Sequence, residues 1–106
     1  MPYHITAYTY KKAKKLGLQV KPARQATKKL DVFRRGKKLA SVGFYGMNDY
    51  PTYLQTRGRS YANKRRRLYK MRHEKDRHIK NSRGWFADQL LWWFAYNFSS
   101  LYQFGL

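Results

Sequence analysis

The segment LDVFRRGKKLASVGF, residues 30–44, carries the clearest structural signal in the chain. Two apolar runs flank Arg-Arg-Gly-Lys, and Gly36 can adopt the positive φ that a type I turn followed by a bulge requires. The pattern predicts a β-hairpin with strands over 30–34 and 38–44. Leu39 and Val42 are three positions apart, so we expect them on opposite faces of the sheet unless a bulge intervenes.

The segments on either side of the hairpin carry weaker signals. Residues 3–10, YHITAYTY, alternate β-branched or aromatic side chains with others, which predicts a strand. Residues 11–29 are rich in lysine and contain the breakers Gly17 and Pro22, so they predict a solvated basic connector. Residues 43–54, GFYGMNDYPTYL, are dense in turn-forming residues and predict an ordered loop.

Two helices are expected in the second half of the chain. Residues 60–81 lack proline and consist mostly of good helix formers, with Ser60 as the expected cap. A second helix is expected from about Ser82 through WFADQLLWWFAY, residues 85–96. The fold class is therefore predicted as α+β: a small sheet of the N-terminal strand and the hairpin, with a basic helix and an aromatic C-terminal helix. A single domain over 1–106 is expected, divided into a strand and basic arm (1–29), a hairpin and loop (30–59), a basic helix (60–81), and an aromatic helix and tail (82–106).

The charge of the chain predicts a polyanionic partner. Its 106 residues contain 24 Lys and Arg against 5 Asp and Glu, a net charge of +19. Nucleic acid, an acidic protein and anionic lipid all suit such a charge. Every Lys and Arg lies within residues 1–83, so the last part of the chain has a different chemistry. The chain has no cysteine, which excludes disulfides, cysteine zinc sites and thiol nucleophiles.

The segment RHEKDRH, residues 72–78, resembles a metal site but has the wrong spacing. His73 and His78 are five residues apart, about 140° around a helix, whereas H-E-x-x-H places its histidines on one face. We therefore expect Glu74 and Asp76 to form ion pairs with basic neighbours, and a non-enzymatic protein without metal or cofactor. A magnesium-dependent nuclease using Glu74 or Asp76 is the competing hypothesis. The expected ion-pair partners are Lys70 or Arg77 for Glu74, and Arg72 or Lys80 for Asp76.

The run Arg65-Arg66-Arg67 lies beside Tyr61 and Tyr69, which suits contact with phosphates and stacking on bases. Alternatively, the tyrosines belong to the core and the arginines are only solvated. No motif for sequence-specific readout is present, so binding is expected to be electrostatic and salt-dependent. The predicted nucleic-acid-binding residues are Lys64, Arg65, Arg66, Arg67, Lys70, Arg72 and Arg77.

The last 23 residues hold nine of the 19 aromatic residues. Three interpretations stay open: a core, an interface with a partner subunit, or a membrane segment. Polar residues interrupt the run and its longest unbroken apolar stretch is seven residues, so a membrane span is not expected. The predicted interface residues are Trp85, Phe86, Trp92, Trp93, Phe94 and Phe98.

Three blocks in order, GFYGMNDYPTYL, RRRLYKMRHEKDRH and GWFADQLLW, span residues 43–92. In them the chain resembles a family of small basic proteins encoded by large DNA viruses of algae and protists. The resemblance implies a viral setting. In such a setting we expect a small, cysteine-free basic protein with an aromatic tail to be a virion structural protein, a minor capsid or core component packed against larger capsid or core proteins. This role places the chain in the virion, and in the host cytoplasm or viral factory during assembly. A free nucleic-acid-binding protein of viral replication or packaging is the alternative.

Overall fold

The computed structural model describes residues 3–93, and in this range four helices pack with one three-stranded antiparallel sheet of order β1-β2-β3. This arrangement is the predicted α+β class. The elements in chain order are α1 (Ala7–Lys15), β1 (Gln19–Pro22), β2 (Lys28–Arg34), β3 (Lys37–Phe44), α2 (Tyr50–Arg57), α3 (Arg59–Arg72) and α4 (Arg83–Leu91).

The predicted hairpin is confirmed as β2 and β3, but its turn differs from the expected type. Arg34 pairs directly with Lys37, which leaves a two-residue loop. Arg35 and Gly36 both have positive φ, 53° and 79°. Positive φ at both loop positions is the geometry of a type I′ turn, whose twist matches that of the flanking strands.

The bulge lies within the strands and not at the turn. Val32 pairs with Ala40 while Phe33 pairs with Lys38, so Leu39 is the extra residue of β3. Leu39 is 38% exposed, whereas Val32 is fully buried. The bulge thus lets Val32 and Val42 both stay in the core while Leu39 turns outward.

The predicted N-terminal strand over 3–10 is wrong, because α1 occupies most of that segment. Tyr8, Thr9 and Ala13 are buried, and Thr9 Oγ1 donates a hydrogen bond of 2.9 Å to the Leu90 carbonyl. Packing against α4 overrides the β propensity of the local sequence. The third strand of the sheet is instead β1, within the segment predicted as a connector, where Val20 pairs with Val32.

The predicted loop over 43–54 contains the start of a helix. Asp49 is the N-cap of α2, where its side chain accepts a hydrogen bond of 3.2 Å from the Thr52 backbone N–H. Pro51 lies in the first turn, where its missing N–H costs no helical hydrogen bond. Only the segment from Tyr45 to Asn48 remains an irregular connection between β3 and α2.

The basic helix α3 begins at Arg59, just before the predicted start, but it ends well before the predicted end at residue 81. Its N-cap is Gly58, so Ser60 lies within the first turn instead of capping it. The helix ends at Arg72, and residues 73–80 form turns. Arg77 Nε donates a hydrogen bond of 3.2 Å to the Lys70 carbonyl, which satisfies a carbonyl of the last helical turn from outside.

The aromatic helix α4 begins where the sequence predicts, and its cap is Ser82, whose Oγ accepts from the Trp85 backbone N–H at 3.1 Å. It ends at Leu91; the predicted continuation through Phe94–Tyr96 lies outside the described residues. α4 packs on β3. The hydrophobic core includes the buried side chains of Leu30, Val32, Val42, Phe86, Leu90 and Leu91.

Candidate nucleic-acid interface

Most of the five acidic side chains are buried inside the fold, where basic groups or hydrogen-bond donors contact them. Asp31, Asp49 and Asp88 are 2%, 0% and 4% exposed. Lys29 Nζ lies 2.8 Å from Asp49, and Lys70 pairs with Asp88. Three of the five acids therefore contribute little negative charge at the surface.

Asp31 is held by hydrogen bonds from its own sheet. Burial alone raises the pKa of the Asp31 carboxyl, but donors around it reverse the direction and lower the pKa below its ordinary value. Ser41 Oγ donates at 2.6 Å and the Arg24 backbone N–H at 3.2 Å. Lys38 Nζ lies 3.5 Å from Asp31 Oδ1, on the solvent side of the carboxylate.

The two remaining acids lie in the turns after α3. Arg77 donates to Glu74 at 2.6 Å, which confirms that predicted ion pair, and His78 contacts Glu74 at 3.0 Å. The hydrogen bond with His78, followed by that from Arg77, lowers the pKa of the Glu74 carboxyl. The predicted Asp76 partners are wrong, because its nearest basic group is His73 Nδ1 at 3.5 Å.

The histidines and carboxylates of RHEKDRH do not form a metal site in the described part of the chain. Within residues 3–93, no three His, Asp or Glu side chains come together in a group that could hold a metal ion. After Arg72 the segment forms turns instead of a continuous helix, although Glu74 still contacts residues three and four positions later.

The basic side chains lie mostly at the surface, on several elements. Sixteen of the 24 Lys and Arg are exposed. They are Lys11, Lys14 and Lys15 on α1; Lys21 and Arg24 around β1; Arg35, Lys37 and Lys38 at the hairpin; Arg57 at the end of α2; Arg59, Lys64, Arg67 and Arg72 on α3; and Lys75, Lys80 and Arg83 beyond it.

Three of the predicted nucleic-acid-binding residues hold the fold together. Arg66 Nε donates a hydrogen bond of 2.8 Å to the Trp92 carbonyl at the end of α4. Lys70 pairs with Asp88 in the middle of α4; its burial lowers the pKa of the ammonium group although the Asp88 carboxylate opposes that shift. Arg77 donates a hydrogen bond to the Lys70 carbonyl in the last turn of α3. These three side chains are therefore already engaged within the chain, which favours the exposed cations as the phosphate contacts.

The other predicted residues of α3 point to solvent or along the surface. Lys64, Arg67 and Arg72 are exposed. Arg65 is half-buried, with its guanidinium 5.7 Å from the centre of the Tyr53 ring. Three of the seven predicted residues are therefore exposed on α3, and Arg59, outside the predicted set, is a fourth exposed cation of this helix.

The tyrosines beside the arginine run do not offer the expected stacking surfaces. Tyr69 is 8% exposed and stacks on Trp92, with ring centroids 4.3 Å apart. Its burial raises the pKa of the phenol. Tyr61 is half-buried, with the Arg57 guanidinium 4.0 Å above its ring. The expectation that Tyr69 stacks on bases is wrong because the ring is already packed in the core.

The predicted interface aromatics divide into core and surface residues. Phe86 and Trp92 are 0% and 7% exposed, so in this fold they pack in the core, as the first of the three interpretations expects. Trp93 stacks on Tyr8 at 4.5 Å, and Trp85 is half-buried. Phe94 and Phe98 lie outside the described residues. No helix in the described range is both long enough and apolar enough to cross a bilayer.

A feature that the sequence did not predict is a groove of about 560 Å³ lined by the end of β3, by α3 and by α4. We call it the basic groove. The missed signal was GFYGM, where a phenylalanine and a methionine sit among turn residues and remain exposed, Phe44 at 63% and Met47 at 59%. The side chains that line the basic groove include Lys28, Val42, Phe44, Met47, Tyr69, Arg72, Ile79, Arg83, Leu91 and Trp92.

Comparison of the whole chain with models of protein families, with curated proteins and with solved structures finds no significant match. Its function is therefore argued from the charges and contacts of its own residues.

Proposed function

We propose that the chain is a non-enzymatic, sequence-nonspecific nucleic-acid-binding protein. The observation that carries the proposal is the separation of its charges. Asp31, Asp49 and Asp88 are buried and bonded inside the fold, while sixteen Lys and Arg side chains are exposed. A surface of this kind releases counterions from a phosphate backbone and binds it without reading bases.

The arrangement on α3 supports contact with a phosphate backbone. Lys64, Arg67, Leu68 and Met71 follow the i, i+3, i+4, i+7 spacing of one helical face, and all four are exposed. Arg72 lies beside this face. The opposite side of the helix carries Ala62 and Tyr69 into the core and fixes its orientation. The cations of α3 are thus presented by a rigid element.

The proposal is tested by titrating a labelled DNA duplex with the full chain at several salt concentrations, using fluorescence anisotropy. We expect the logarithm of the binding constant to fall linearly with the logarithm of salt concentration. With about six phosphate contacts, affinity drops roughly a thousandfold between about 50 and 200 mM salt. Affinity that stays nearly constant over that range would contradict nucleic-acid binding.

An acidic protein surface is the main competing polyanion. Poly-glutamate of matched charge, added to the preformed DNA complex, separates the two. With a phosphate backbone as the partner, we expect release of the duplex only at a large excess of this competitor. Displacement at equal charge concentration would favour an acidic protein partner.

A virion structural role is the second candidate, and the exposed apolar side chains favour it. Met71 is 74% exposed and Ile79 60%, and both lie among cations. Exposed apolar side chains of this size suit a protein neighbour as well as a nucleic acid. The viral resemblance adds the setting, in which larger capsid or core proteins are the partners.

The virion role is tested by truncation and by locating the chain in particles. Leu90 and Leu91 are buried, so a truncation must leave α4 intact; removal of 94–106 does so. We expect the truncated chain to fold, as judged by circular dichroism, and to be missing from purified particles. Normal incorporation of that variant would contradict docking through the C-terminal aromatics.

A further inference from the structure

The basic groove has an apolar floor. Val42, Leu91, Trp92 and Tyr69 form it, with exposed fractions of 0%, 1%, 7% and 8%. Tyr69 and Trp92 stack almost in parallel, with 8° between their planes. The floor is therefore fixed by core packing, and its volume of about 560 Å³ lies within the range of small-molecule sites, roughly 300–1,000 Å³.

The rim of the basic groove is positively charged. Lys28, Arg72 and Arg83 stand around it, and of these Arg72 and Arg83 are exposed. One acidic residue, Asp76, is among the described residues that line the groove, and its carboxylate already contacts His73. An apolar, ring-lined floor beneath several cations is complementary to a ligand that is aromatic and anionic at once.

Phe44 is the exposed ring of this groove. It is the last residue of β3 and is 63% exposed. Lys28 Nζ lies 4.7 Å from the centre of the ring, in the range of a cation–π contact. A planar group that stacks on Phe44 would therefore have a cation beside it, where a phosphate attached to that group could bind.

We propose that the basic groove receives an unpaired base of a single nucleic-acid strand. The base stacks on Phe44, and the adjoining phosphates contact Lys28, Arg72 and Arg83. The inference rests on the proposed nucleic-acid binding and adds its substrate class. Bases of a duplex are paired and stacked on one another, so they cannot enter; a single strand offers them freely. The chain therefore binds single strands in preference to duplexes of equal length.

The test compares a labelled oligo-dT strand, which does not pair with itself, with a duplex of the same length at one salt concentration. Phe44→Ala removes the stacking ring. Tyr45→Ala removes the neighbouring, 43% exposed ring, which does not line the basic groove, and serves as the matched control. We expect Phe44→Ala to lower single-strand affinity about tenfold, the loss of one stacked base, and duplex affinity by less than about twofold. Tyr45→Ala is expected to leave both nearly unchanged.

A second pair of variants separates stacking from apolar contact. Phe44→Trp keeps an aromatic face and is expected to retain single-strand affinity, whereas Phe44→Leu keeps apolar volume and is expected to lose it. Equal affinity of Phe44→Ala and the unchanged chain for oligo-dT would overturn the inference and point to another occupant of the groove. Salt-dependent duplex binding with no preference for oligo-dT would overturn it too, while leaving nucleic-acid binding intact. Absence of binding to both probes would overturn the proposed function itself.

Discussion

Lys29 Nζ and Asp49 Oδ2 lie 2.8 Å apart, and their side chains are 5% and 1% exposed. The pair joins β2 to the first turn of α2, and the Tyr3 hydroxyl donates to the same carboxylate oxygen at 2.6 Å. A carboxylate held in this way cannot offset positive charge outside. The fold thus removes negative charge from the surface by the same contacts that connect its elements.

Replacing Lys29 by Met is expected to destabilise the fold. The substitution keeps the length of the side chain but leaves the Asp49 carboxylate buried without its cation, a change that typically costs about 3 kcal/mol or more. Urea unfolding followed by circular dichroism measures the free energy of unfolding. Lys14→Met, at an exposed position of α1, is the control and should change it by less than about 0.5 kcal/mol. Equal effects of the two substitutions would contradict a structural role for the pair.

The close approach of β3 and α4 at Gly43 gives a second expectation. A Cβ at this position would lie 3.0 Å from both Leu91 Cδ1 and Lys29 Cδ, and φ is +80°. Gly46 has a similar φ of +96° but open space around it. We expect Gly46→Ala to cost about 1 kcal/mol through backbone strain alone, and Gly43→Ala to cost about 1–3 kcal/mol more through overpacking. If the two variants unfold at the same urea concentration, the contact is not tight.

The lowered pKa of Asp31 predicts a pH dependence of stability. A carboxyl whose pKa in the folded state lies below its ordinary value of 3.8 stabilises the fold above that pH, and the contribution is lost as the pH falls through the folded-state pKa. Ser41→Ala removes one of its donors and is expected to cost about 1–2 kcal/mol at pH 7 and less at pH 2. Ser60→Ala, an exposed position, serves as the control. A Ser41→Ala cost that is the same at both pH values would refute the coupling to Asp31.

Arg67 and Lys70 of α3 are expected to have different roles, Arg67 in DNA binding and Lys70 in stability. Lys70→Gln breaks the pair with Asp88 and should lower the free energy of unfolding by about 2–4 kcal/mol, with little change in the salt dependence of DNA binding. Arg67→Gln, at an exposed position, should leave stability within about 0.5 kcal/mol and reduce the salt slope by about 0.9. Unfolding and anisotropy measurements on both variants check the division. The reverse pattern would show that the two roles are misassigned.

Local signals in the sequence were enough to place the hairpin and both later helices, but not to give the turn type or the end of α3. Gly36 marks the turn, and Ser82 marks the start of α4, because each acts within a few residues of itself. The N-terminal strand was predicted wrongly, since the same alternating residues gain more by burying Tyr8 and Thr9 as a helix against α4. α2 was overlooked, although Asp49 followed by Pro51 is a recognisable helix start.

The candidate site was less accessible to sequence reasoning. A charge run shows how many cations a helix has but not which of them the core uses. Arg66 and Lys70 contact α4, a segment 18 or more residues later, and no local pattern reveals this. The basic groove depends likewise on residues from β2, β3, α3 and α4 coming together.

The most direct test of the account is the salt dependence of duplex binding by the triple variant Lys64→Gln, Arg67→Gln, Arg72→Gln. These three side chains are the exposed members of the predicted set, so each should account for one phosphate contact. For the unchanged chain we predict that the logarithm of affinity falls steeply with the logarithm of salt concentration. For the triple variant we predict a slope that is shallower by about 2.7. An unchanged slope in a folded triple variant would contradict binding through the outer face of α3.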